Sequence, residues 1–320
     1  MPAAVTIDMA GGQVGGAGRY RKELRGYLER QGRQDVKVIG TGRNLTPAWL
    51  AAREASAVRR GRRVALNNVS FMTPGGERWT LVTNALYFMT DAELTTVDPQ
   101  LRAGAARQGA IVHRAARRSD VIVTPCTAMA ERIAAVLPDV TDRLVVRMHP
   151  ITSPPSLSAD GSLILCPVLF APYKPMPERI AEWLAATGGA MDDSVRLIVT
   201  ASAAEVPTAL AASPRLHFVG RLSVQDLAGL WHRCRAVYFP TSLESFGYPL
   251  AEARAHGRPV IALDTAQNRE IAGPALCGYA PGDTDSLRAA TEAALAADLA
   301  PDPGPFDPDA YFDWMLGGRQ

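Results

Sequence analysis

The chain has 320 residues, of which 47% are hydrophobic and 21% are charged, and its formal net charge is +2 at pH 7. This length allows two domains of ordinary size, each with a full core, and the composition is typical of a globular protein in water. The small net charge argues against a nucleic-acid partner, and the lack of a run of about 20 apolar residues argues against a membrane-spanning helix.

The cysteines and the N-terminus bear on the cellular compartment. Cys126, Cys166, Cys234 and Cys277 lie far apart in the sequence and lack the spacing of a metal site, so we expect reduced thiols and no bound metal. The opening run Met-Pro-Ala-Ala-Val-Thr-Ile-Asp is too short for a signal peptide and leads into glycines. We therefore expect a cytoplasmic protein.

Short apolar runs separated by helical patterns predict alternating strands and helices in the first half of the chain. The strands are expected at residues 4–7, 35–39, 63–66, 79–83, 120–124 and 144–147, and the helices at 19–28, 49–60, 101–118 and from 125 onward. A proline-rich stretch at 148–155 then indicates a domain boundary. We place the first domain at residues 1–152.

A glycine-rich stretch, Gly-Gly-Gln-Val-Gly-Gly-Ala-Gly at residues 11–18, lies between the first strand and the first helix. This order resembles a dinucleotide-binding fingerprint, but the glycines lack the G-x-G-x-x-G spacing, which makes that interpretation weak. The alternative is a tight turn that requires small residues.

Basic residues are concentrated in the N-terminal part of the chain. They are Arg19, Arg21, Lys22, Arg25, Arg30, Arg33, Arg59, Arg60, Arg62 and Arg63. The simpler interpretation is a solvated helix face. The functional alternative is contact with anionic lipid or with a phosphorylated acceptor, which would make the protein peripheral to a membrane.

The second half of the chain repeats the alternation of strands and helices. Strands are expected at 162–166, 195–200, 216–219, 236–239 and 258–263, and helices from 178, after Ser223, at 249–256, from 281 and within 306–316. Ser223 is a plausible N-cap, with Asp226 in the position of a capping box.

The most informative stretch is the loop at 243–248, between a buried strand and a helix. The next strand follows at 258–263, which predicts a βαβ unit with two parallel strands. The loop then lies at the carboxyl end of the first of these strands, where open α/β sheets bind ligands. Loop N–H groups and the helix N-terminus suit a diphosphate, and Gly247 allows close approach. Glu244 and Glu252 flank the loop, and their carboxylates could accept hydrogen bonds from sugar hydroxyls. The alternative is that Glu252 only caps or solvates the helix and that Glu244 is an exposed loop residue without a ligand.

The sequence Glu-Ser-Phe-Gly-Tyr-Pro-Leu-Ala-Glu at 244–252 resembles the Glu-x7-Glu signature of family 4 retaining glycosyltransferases. The flanking Phe-Pro-Thr-Ser and Ala-His-Gly-Arg-Pro-Val-Ile-Ala are similar as well. The resemblance implies the α/β GT-B fold, with two Rossmann-like, doubly wound domains facing across a cleft. It places the acceptor mainly on residues 1–152 and the nucleotide sugar on 153–304, and it implies a C-terminal helix, 305–320, that crosses back to the first domain.

The resemblance also implies roles for individual residues. Glu244 would contact the donor sugar and Glu252 the ribose hydroxyls, while the backbone of residues 245–247 binds the diphosphate. The donor-binding residues implied in this way are Gly15, Gly16, Lys174, Ser245, Phe246, Gly247 and Glu252, the first two because Gly-Gly-Ala-Gly-Arg-Tyr at 15–20 is similar to the family's Gly-Gly-x-Gly-Arg-Tyr.

The chain departs from the family pattern at two positions. Asn84 stands where many relatives have a histidine near the reacting sugar, and asparagine can hydrogen-bond a sugar hydroxyl but cannot act as an acid or base. Leu169 stands where relatives usually have a phosphate-binding arginine. We expect Glu244 and Asn84 on the catalytic side of the site.

The implied activity is transfer of a sugar from a nucleotide diphosphate to an acceptor hydroxyl, with retention and without a metal or cofactor. The acceptor is expected to be a small molecule, a glycan or a lipid-linked compound, and no nucleic-acid partner is expected. Two alternatives remain: a degenerate protein that binds nucleotide or sugar without transfer, and a membrane-surface glycosyltransferase with a lipid-linked acceptor.

Overall fold

The computed structural model describes residues 4–12, 15–58, 60–90, 93–94, 99–152, 160–168, 170, 174–189, 191 and 194–317. The chain divides into two units. The first comprises Met1–Thr152, Glu244–Phe246 and Phe306–Gln320, and the second comprises Ser153–Leu243 and Gly247–Pro305. The chain thus contributes two later segments to the first unit.

The first unit contains a six-stranded parallel sheet with the strand order β2-β1-β3-β4-β5-β6. The strands are β1 Val5–Asp8, β2 Val36–Ile39, β3 Arg62–Ala65, β4 Glu77–Leu81, β5 Val121–Thr124 and β6 Leu144–Val146. The order reverses between β1 and β3, so loops leave the sheet in opposite directions there and form a crevice at the carboxyl edge.

Helices among the described residues connect these strands, and all the strands run parallel, as the predicted alternation requires. They are α1 Gly15–Gln31, α2 Pro47–Ser56, α3 Pro99–Ala116 and α4 Thr127–Val136, with short 3-10 helices at Ala85–Phe88 and Pro138–Arg143. Helix α2 begins with Pro47 after the N-cap Thr46, whose side chain accepts the Trp49 N–H at 3.2 Å. Helix α1 begins earlier than expected, because Gly15 and Gly16 form its first turn and not a preceding loop.

The second unit contains another six-stranded parallel sheet, in the order β12-β11-β10-β7-β8-β9. Its strands are β7 Asp160–Cys166, β8 Arg196–Val199, β9 Leu216–Phe218, β10 Cys234–Phe239, β11 Val260–Leu263 and β12 Leu276–Tyr279. Numbered within the unit, this is the 3-2-1-4-5-6 order of the Rossmann fold, read from the opposite edge.

The helices of the second unit cover its sheet and complete its core. They are α5 Met176–Thr187, α6 Thr208–Ala211, α7 Val224–Arg233, α8 Tyr248–Ala255, α9 Ala266–Ala272 and α10 Thr284–Ala296, with 3-10 helices at Ala203–Glu205, Gly273–Ala275 and Gly304–Phe306. The predicted cap of α7 is present, since the Ser223 hydroxyl accepts the Asp226 N–H at 3.1 Å. Trp183 and Tyr238 are central in the core of this unit.

The last helix, α11 Pro308–Leu316, packs on α1 within the first unit. Phe312 is fully buried and lies edge-on to Tyr20 with ring centroids 5.6 Å apart. The Tyr20 hydroxyl also lies 3.2 Å from the sulfur of Met315. An aromatic segment that is too short to fold alone is therefore buried in the core of the N-terminal unit.

Candidate functional site

The second sheet reverses its strand order between β7 and β10, and this is the position at which open α/β sheets bind ligands. The two strands are parallel neighbours, with Ala236 paired to Ile164 and Val237 to Leu165. The connection after β10 leads to α8, and the connection after β7 leads to Lys174 and α5. Both predicted donor-binding segments of this unit therefore start at the same crevice.

Gly247 is the N-cap residue of α8 and has a left-handed backbone, with a φ of 83°. A Cβ at this position would lie 2.9 Å from Cδ1 of Leu250 and 3.2 Å from Cε1 of Phe239. The glycine is thus required by the turn and by local packing, which is a different reason from the ligand approach expected from the sequence. Because glycine has no side chain to cap α8, the helix N-terminus keeps the character of a phosphate-binding end.

Glu252 lies on α8 and is only 9% exposed. A glutamate is rarely so buried unless it has polar partners. The side chain is therefore not the solvated helix residue that the simpler interpretation of the sequence required. It is a carboxylate held in a defined environment close to the strand-order reversal.

Lys174 precedes α5 and is partly exposed, and its carbonyl oxygen accepts the Met176 N–H at 2.8 Å. This contact fixes the backbone next to the lysine, and an ammonium group is a compact point charge suited to an anion. Leu169, the position where the sequence lacks an expected arginine, lies outside the described residues.

Ser245 and Phe246 belong to the first unit, and their side chains make contacts within that unit. The Ser245 hydroxyl donates to the carbonyl oxygen of Thr83 at 3.0 Å. Phe246 is 2% exposed and lies edge-on to His149 with ring centroids 4.9 Å apart. Of these two residues, the backbone is thus the part suited to the diphosphate contact implied by the resemblance.

His149 is fully buried beneath Phe246, with Tyr20 5.2 Å away between ring centroids. Burial lowers the pKa of His149 to about 3, because desolvation disfavours the charged ring. The residue is therefore neutral near pH 7 and acts as a packing surface for the segment that carries Glu244.

Asn84 caps the 3-10 helix that follows β4. Its side-chain oxygen accepts the Leu86 N–H at 3.0 Å. The preceding residue is held as well, since the Thr83 N–H donates to the side-chain oxygen of Asn68 at 2.6 Å. Asn84 is thus oriented by a local hydrogen bond, and its amide nitrogen is the donor suited to a sugar hydroxyl.

A network of buried polar residues that no local sequence pattern predicts occupies the carboxyl edge of the first sheet. Asp8 ends β1 and is fully buried, as is Arg53, which donates to it at 2.6 Å. Asn67 also donates to Asp8, at 2.8 Å, and Trp49 donates at 3.1 Å. The loops after β1 and β3 are therefore held by charge-assisted hydrogen bonds.

Arg21 extends this network to the glycine-rich stretch and is 2% exposed. All of its described hydrogen bonds go to backbone carbonyl oxygens. The acceptors are Met9 at 2.9 Å, Ala10 at 2.9 Å, Gly12 at 2.8 Å, Ala17 at 2.9 Å and Leu66 at 3.0 Å. Arg21 precedes the apolar Leu24 by three residues, so both lie on one face of the helix. This spacing was the feature of the sequence that could have predicted burial of Arg21.

The same contacts change the interpretation of the basic N-terminal stretch. Arg63 is buried against Thr73, and Arg33 forms an ion pair with Asp35 at 2.6 Å. Arg62 donates to the carbonyl oxygens of α11 and pairs with Glu77 at 3.0 Å. Several of these arginines thus have partners within the first unit, and contact of the basic stretch with anionic lipid stays a prediction.

Two further properties concern the described residues alone. No helix in this part of the chain is long and apolar enough to cross a membrane. Within the same residues, no group of three or more His, Cys, Asp or Glu side chains is placed to hold a metal ion.

Residues 162–297 match a family model described as Glycosyl transferases group 1. A search of curated proteins finds no match to the sequence. The matched range covers most of the second unit, including the connection after β10 and helix α8.

Solved structures are similar over nearly the whole chain. Sucrose-phosphate synthase from Thermosynechococcus elongatus has a TM-score of 0.61 and 14% identity, over 99% of this chain and 95% of that chain. WaaG, a glycosyltransferase involved in lipopolysaccharide biosynthesis, has a TM-score of 0.62 and 14% identity, over 98% and 100%. AviGT4, a glycosyltransferase involved in avilamycin A biosynthesis, has a TM-score of 0.60 and 14% identity, over 99% of each chain.

These findings confirm the predicted α/β class with two Rossmann-like units, matching structures of GT-B glycosyltransferases. The sequence match of the second unit and the fold together support a glycosyltransferase. Membership of family 4, the Glu-x7-Glu signature and the roles of the site residues stay predictions.

Proposed function

We propose that the protein transfers a sugar from a nucleotide diphosphate to an acceptor hydroxyl, with retention of configuration and without a metal ion. The main support is the strand-order reversal of the second sheet. There α8 starts at Gly247, which provides no side-chain cap, and the helix bears the buried Glu252. This combination provides an anion site and an acceptor for hydroxyl groups within about two turns of one helix.

In the proposed reaction the leaving diphosphate gains negative charge as the bond to the sugar breaks. The N-terminus of α8 and the ammonium group of Lys174 are the groups of this unit that would stabilise that charge. Fixed dipoles and a cation do this without a metal ion, and no cofactor is needed beyond the donor itself. Glu252 would accept hydrogen bonds from the ribose hydroxyls.

The residues of the first unit take the remaining roles in the proposal. Glu244 would bind the transferred sugar, and the backbone of Ser245 and Phe246 would contact the diphosphate. Gly15 and Gly16, in the first turn of α1, would face the donor phosphates.

Asn84 would donate to a sugar hydroxyl through its amide nitrogen. It cannot accept the acceptor's proton as a base, so we propose that a phosphate oxygen of the leaving group takes that proton.

A thermal-shift panel with UDP, GDP, ADP and dTDP tests the donor site. A nucleotide that binds only the folded state stabilises it by about 2.7 kcal/mol at a hundredfold excess over Kd. We expect one diphosphate to raise the melting temperature clearly and the matching nucleoside to raise it much less. If no diphosphate shifts the transition, the donor site and the proposed activity are wrong.

A degenerate protein that binds the donor without transfer is the second candidate, because the side-chain oxygen of Asn84 is engaged in a cap. Hydrolysis or transfer of the nucleotide sugar identified by the panel separates the two. Binding with measurable turnover supports the enzyme, and binding without turnover across several acceptor classes supports the degenerate protein.

A further inference from the structure

The guanidinium group of Arg21 lies inside the first unit, where the carbonyl oxygens of four chain segments converge on it. The segments are the end of β1, the glycine-rich stretch, the first turn of α1 and the exit of β3. Five donors in a rigid planar fork match five acceptors at 2.8 to 3.0 Å. Such an arrangement fixes the distance and angle between segments that do not otherwise share a secondary-structure element.

The contacts to Gly12 and Ala17 are made by the same guanidinium nitrogen, at 2.8 and 2.9 Å. One nitrogen therefore joins the chain before α1 to the first turn of that helix. The other terminal nitrogen bridges Ala10 and Leu66, which follow β1 and β3. The N-terminus of α1 is thus tied to the carboxyl ends of the two strands at which the first sheet reverses its order.

Gly11 shows that this packing is tight. Its φ is 108°, and a Cβ there would lie 3.3 Å from a terminal nitrogen of Arg21. The Gly11 N–H donates to the carbonyl oxygen of Arg43 at 2.9 Å. Glycine at this position is therefore explained by the arginine beneath it, independently of any ligand.

The charge of Arg21 lies next to the positive end of the α1 dipole and has the same sign. A helix N-terminus carries partial positive charge, so a buried cation near it is unfavourable unless an anion is close. Burial lowers the pKa of Arg21, and the carboxylate of Asp8 acts in the opposite direction. Asp8 is itself paired directly with Arg53 at 2.6 Å, so its charge is shared between two arginines.

We propose that Arg21 is the positioning residue of the glycine-rich stretch and prepares the N-terminus of α1 to receive a phosphate group of the donor, an inference that rests on the proposed function. Arg21 acts through the backbone that it holds, since its described hydrogen bonds all go to carbonyl oxygens. Its positive charge adds to the helix dipole, and its fork sets the position of Gly15 and Gly16.

The test compares Arg21→Lys with Arg63→Lys. Arg63 is also buried, on β3, but it donates to Thr73 at 2.9 and 3.1 Å and touches no part of the glycine-rich stretch in the described contacts. Affinity for the nucleoside diphosphate found in the panel, and for the corresponding nucleoside, is measured by calorimetry on each protein. Melting temperature is recorded in parallel.

We expect Arg21→Lys to weaken diphosphate binding about tenfold or more. A lysine cannot make the five hydrogen bonds of the planar guanidinium group, and hydrogen bonds from a charged donor are stronger than neutral ones. Nucleoside affinity should change less than about twofold, and Arg63→Lys should change neither affinity despite losing stability. In kinetics, KM for the sugar nucleotide should rise more than kcat falls. Equal affinities for the diphosphate in wild type and Arg21→Lys would overturn the inference.

Hydrogen exchange of the wild-type protein provides a measurement that does not depend on a folded variant. If Arg21 prepares the stretch, the amides of Ala10 and Gly11 exchange slowly without ligand, and the diphosphate changes them little. Fast exchange that becomes slow only with the diphosphate contradicts the inference. Failure of every diphosphate to bind the wild type overturns the proposed function instead, so the two failures are distinguishable.

Discussion

Burial gives the two glutamates of the candidate site different surroundings. Glu252 is 9% exposed on α8, whereas Glu244 is partly exposed and belongs to the first unit. A buried carboxylate is suited to hold a fixed part of a ligand, such as a ribose. A more accessible one is suited to a group that changes during the reaction.

Substituting each glutamate separates these roles. We expect Glu252→Ala to weaken binding of the bare nucleoside diphosphate about tenfold, because hydrogen bonds to a carboxylate are lost. Glu244→Ala should leave that affinity nearly unchanged and reduce turnover instead. Calorimetry and steady-state kinetics check this, with Glu292→Ala on the exposed face of α10 as the control. An equal loss of nucleotide affinity in both variants contradicts the division of roles.

His149 predicts how stability depends on pH. Its pKa is lowered to about 3 in the folded protein from 6.5, so the unfolded chain binds more protons between these values. Stability is therefore complete above about pH 6.5 and falls as the pH drops, by up to about 1.4 kcal/mol per pH unit from this residue.

Urea unfolding at pH 7 and pH 5 measures this effect. His149→Phe keeps an aromatic ring beneath Phe246 and removes the titrating group, so the variant should lose less stability between these two pH values than the wild type. Identical pH dependence in both proteins would show that another group is responsible.

At the scale of elements, α8 and its entry illustrate how backbone geometry positions a site. Gly247 and Gly282 both have left-handed backbones, with φ of 83° and 76°. Only Gly247 is crowded, by Leu250 and Phe239, whereas a Cβ at Gly282 would meet nothing within 4 Å. Comparing the two glycines therefore separates two free-energy costs of replacing glycine by alanine, that of the left-handed backbone and that of the crowded side-chain site.

We expect Gly282→Ala to destabilise the protein by about 1 kcal/mol, which is the cost of the left-handed conformation. Gly247→Ala should cost clearly more, because the methyl group also displaces Leu250, and it should weaken diphosphate binding by moving the start of α8. Denaturant unfolding and calorimetry measure both effects. Equal destabilisation by the two substitutions would contradict the packing argument.

The packing of α11 on α1 is a second property of elements. Phe312→Ala should destabilise the first unit by about 3–5 kcal/mol, because it leaves a large cavity beside Tyr20 and Tyr27. Ile111→Ala serves as the control, since Ile111 is 56% exposed and its truncation should change stability by less than about 0.5 kcal/mol. Unfolding monitored by tryptophan fluorescence gives both values.

Elements with a clear apolar period or a specific cap could be predicted from the sequence, and β10, α8 and the Ser223 cap are examples. Strand β12 was not predicted, because Leu-Cys-Gly-Tyr is short and contains a glycine that weakens its β pattern. The Arg21 and Asp8 network was not predicted either, because its partners are backbone carbonyls and distant side chains that leave no local pattern. The loop at 243–248 could be singled out as a candidate site because its residues are contiguous.

At the scale of the whole molecule, the first unit is discontinuous in sequence. It includes residues 1–152, 244–246 and 306–320. A fragment cut at the proline-rich boundary would lack Phe306 and Phe312, which are both buried. Domain boundaries placed by sequence composition alone therefore do not define a fragment with a complete core.

We expect residues 1–152 expressed alone to unfold without a cooperative transition, because the aromatic surface of α1 is left exposed. Joining residues 304–317 to this fragment through a flexible linker should restore cooperative unfolding. Urea titrations followed by circular dichroism compare the two proteins. A cooperative transition in the shorter fragment would show that α11 contributes little.

The place of α11 in the chain also has a consequence for synthesis in the cell. Ribosomes make the N-terminal unit first, at about 5–20 residues per second, and domains made first usually fold first. Here the helix that covers Tyr20 and Tyr27 follows the second unit along the chain, so it leaves the ribosome after that whole unit. Chains that terminate before α11 would thus leave the aromatic surface of α1 exposed, which makes them prone to aggregation and to removal by chaperones and proteases.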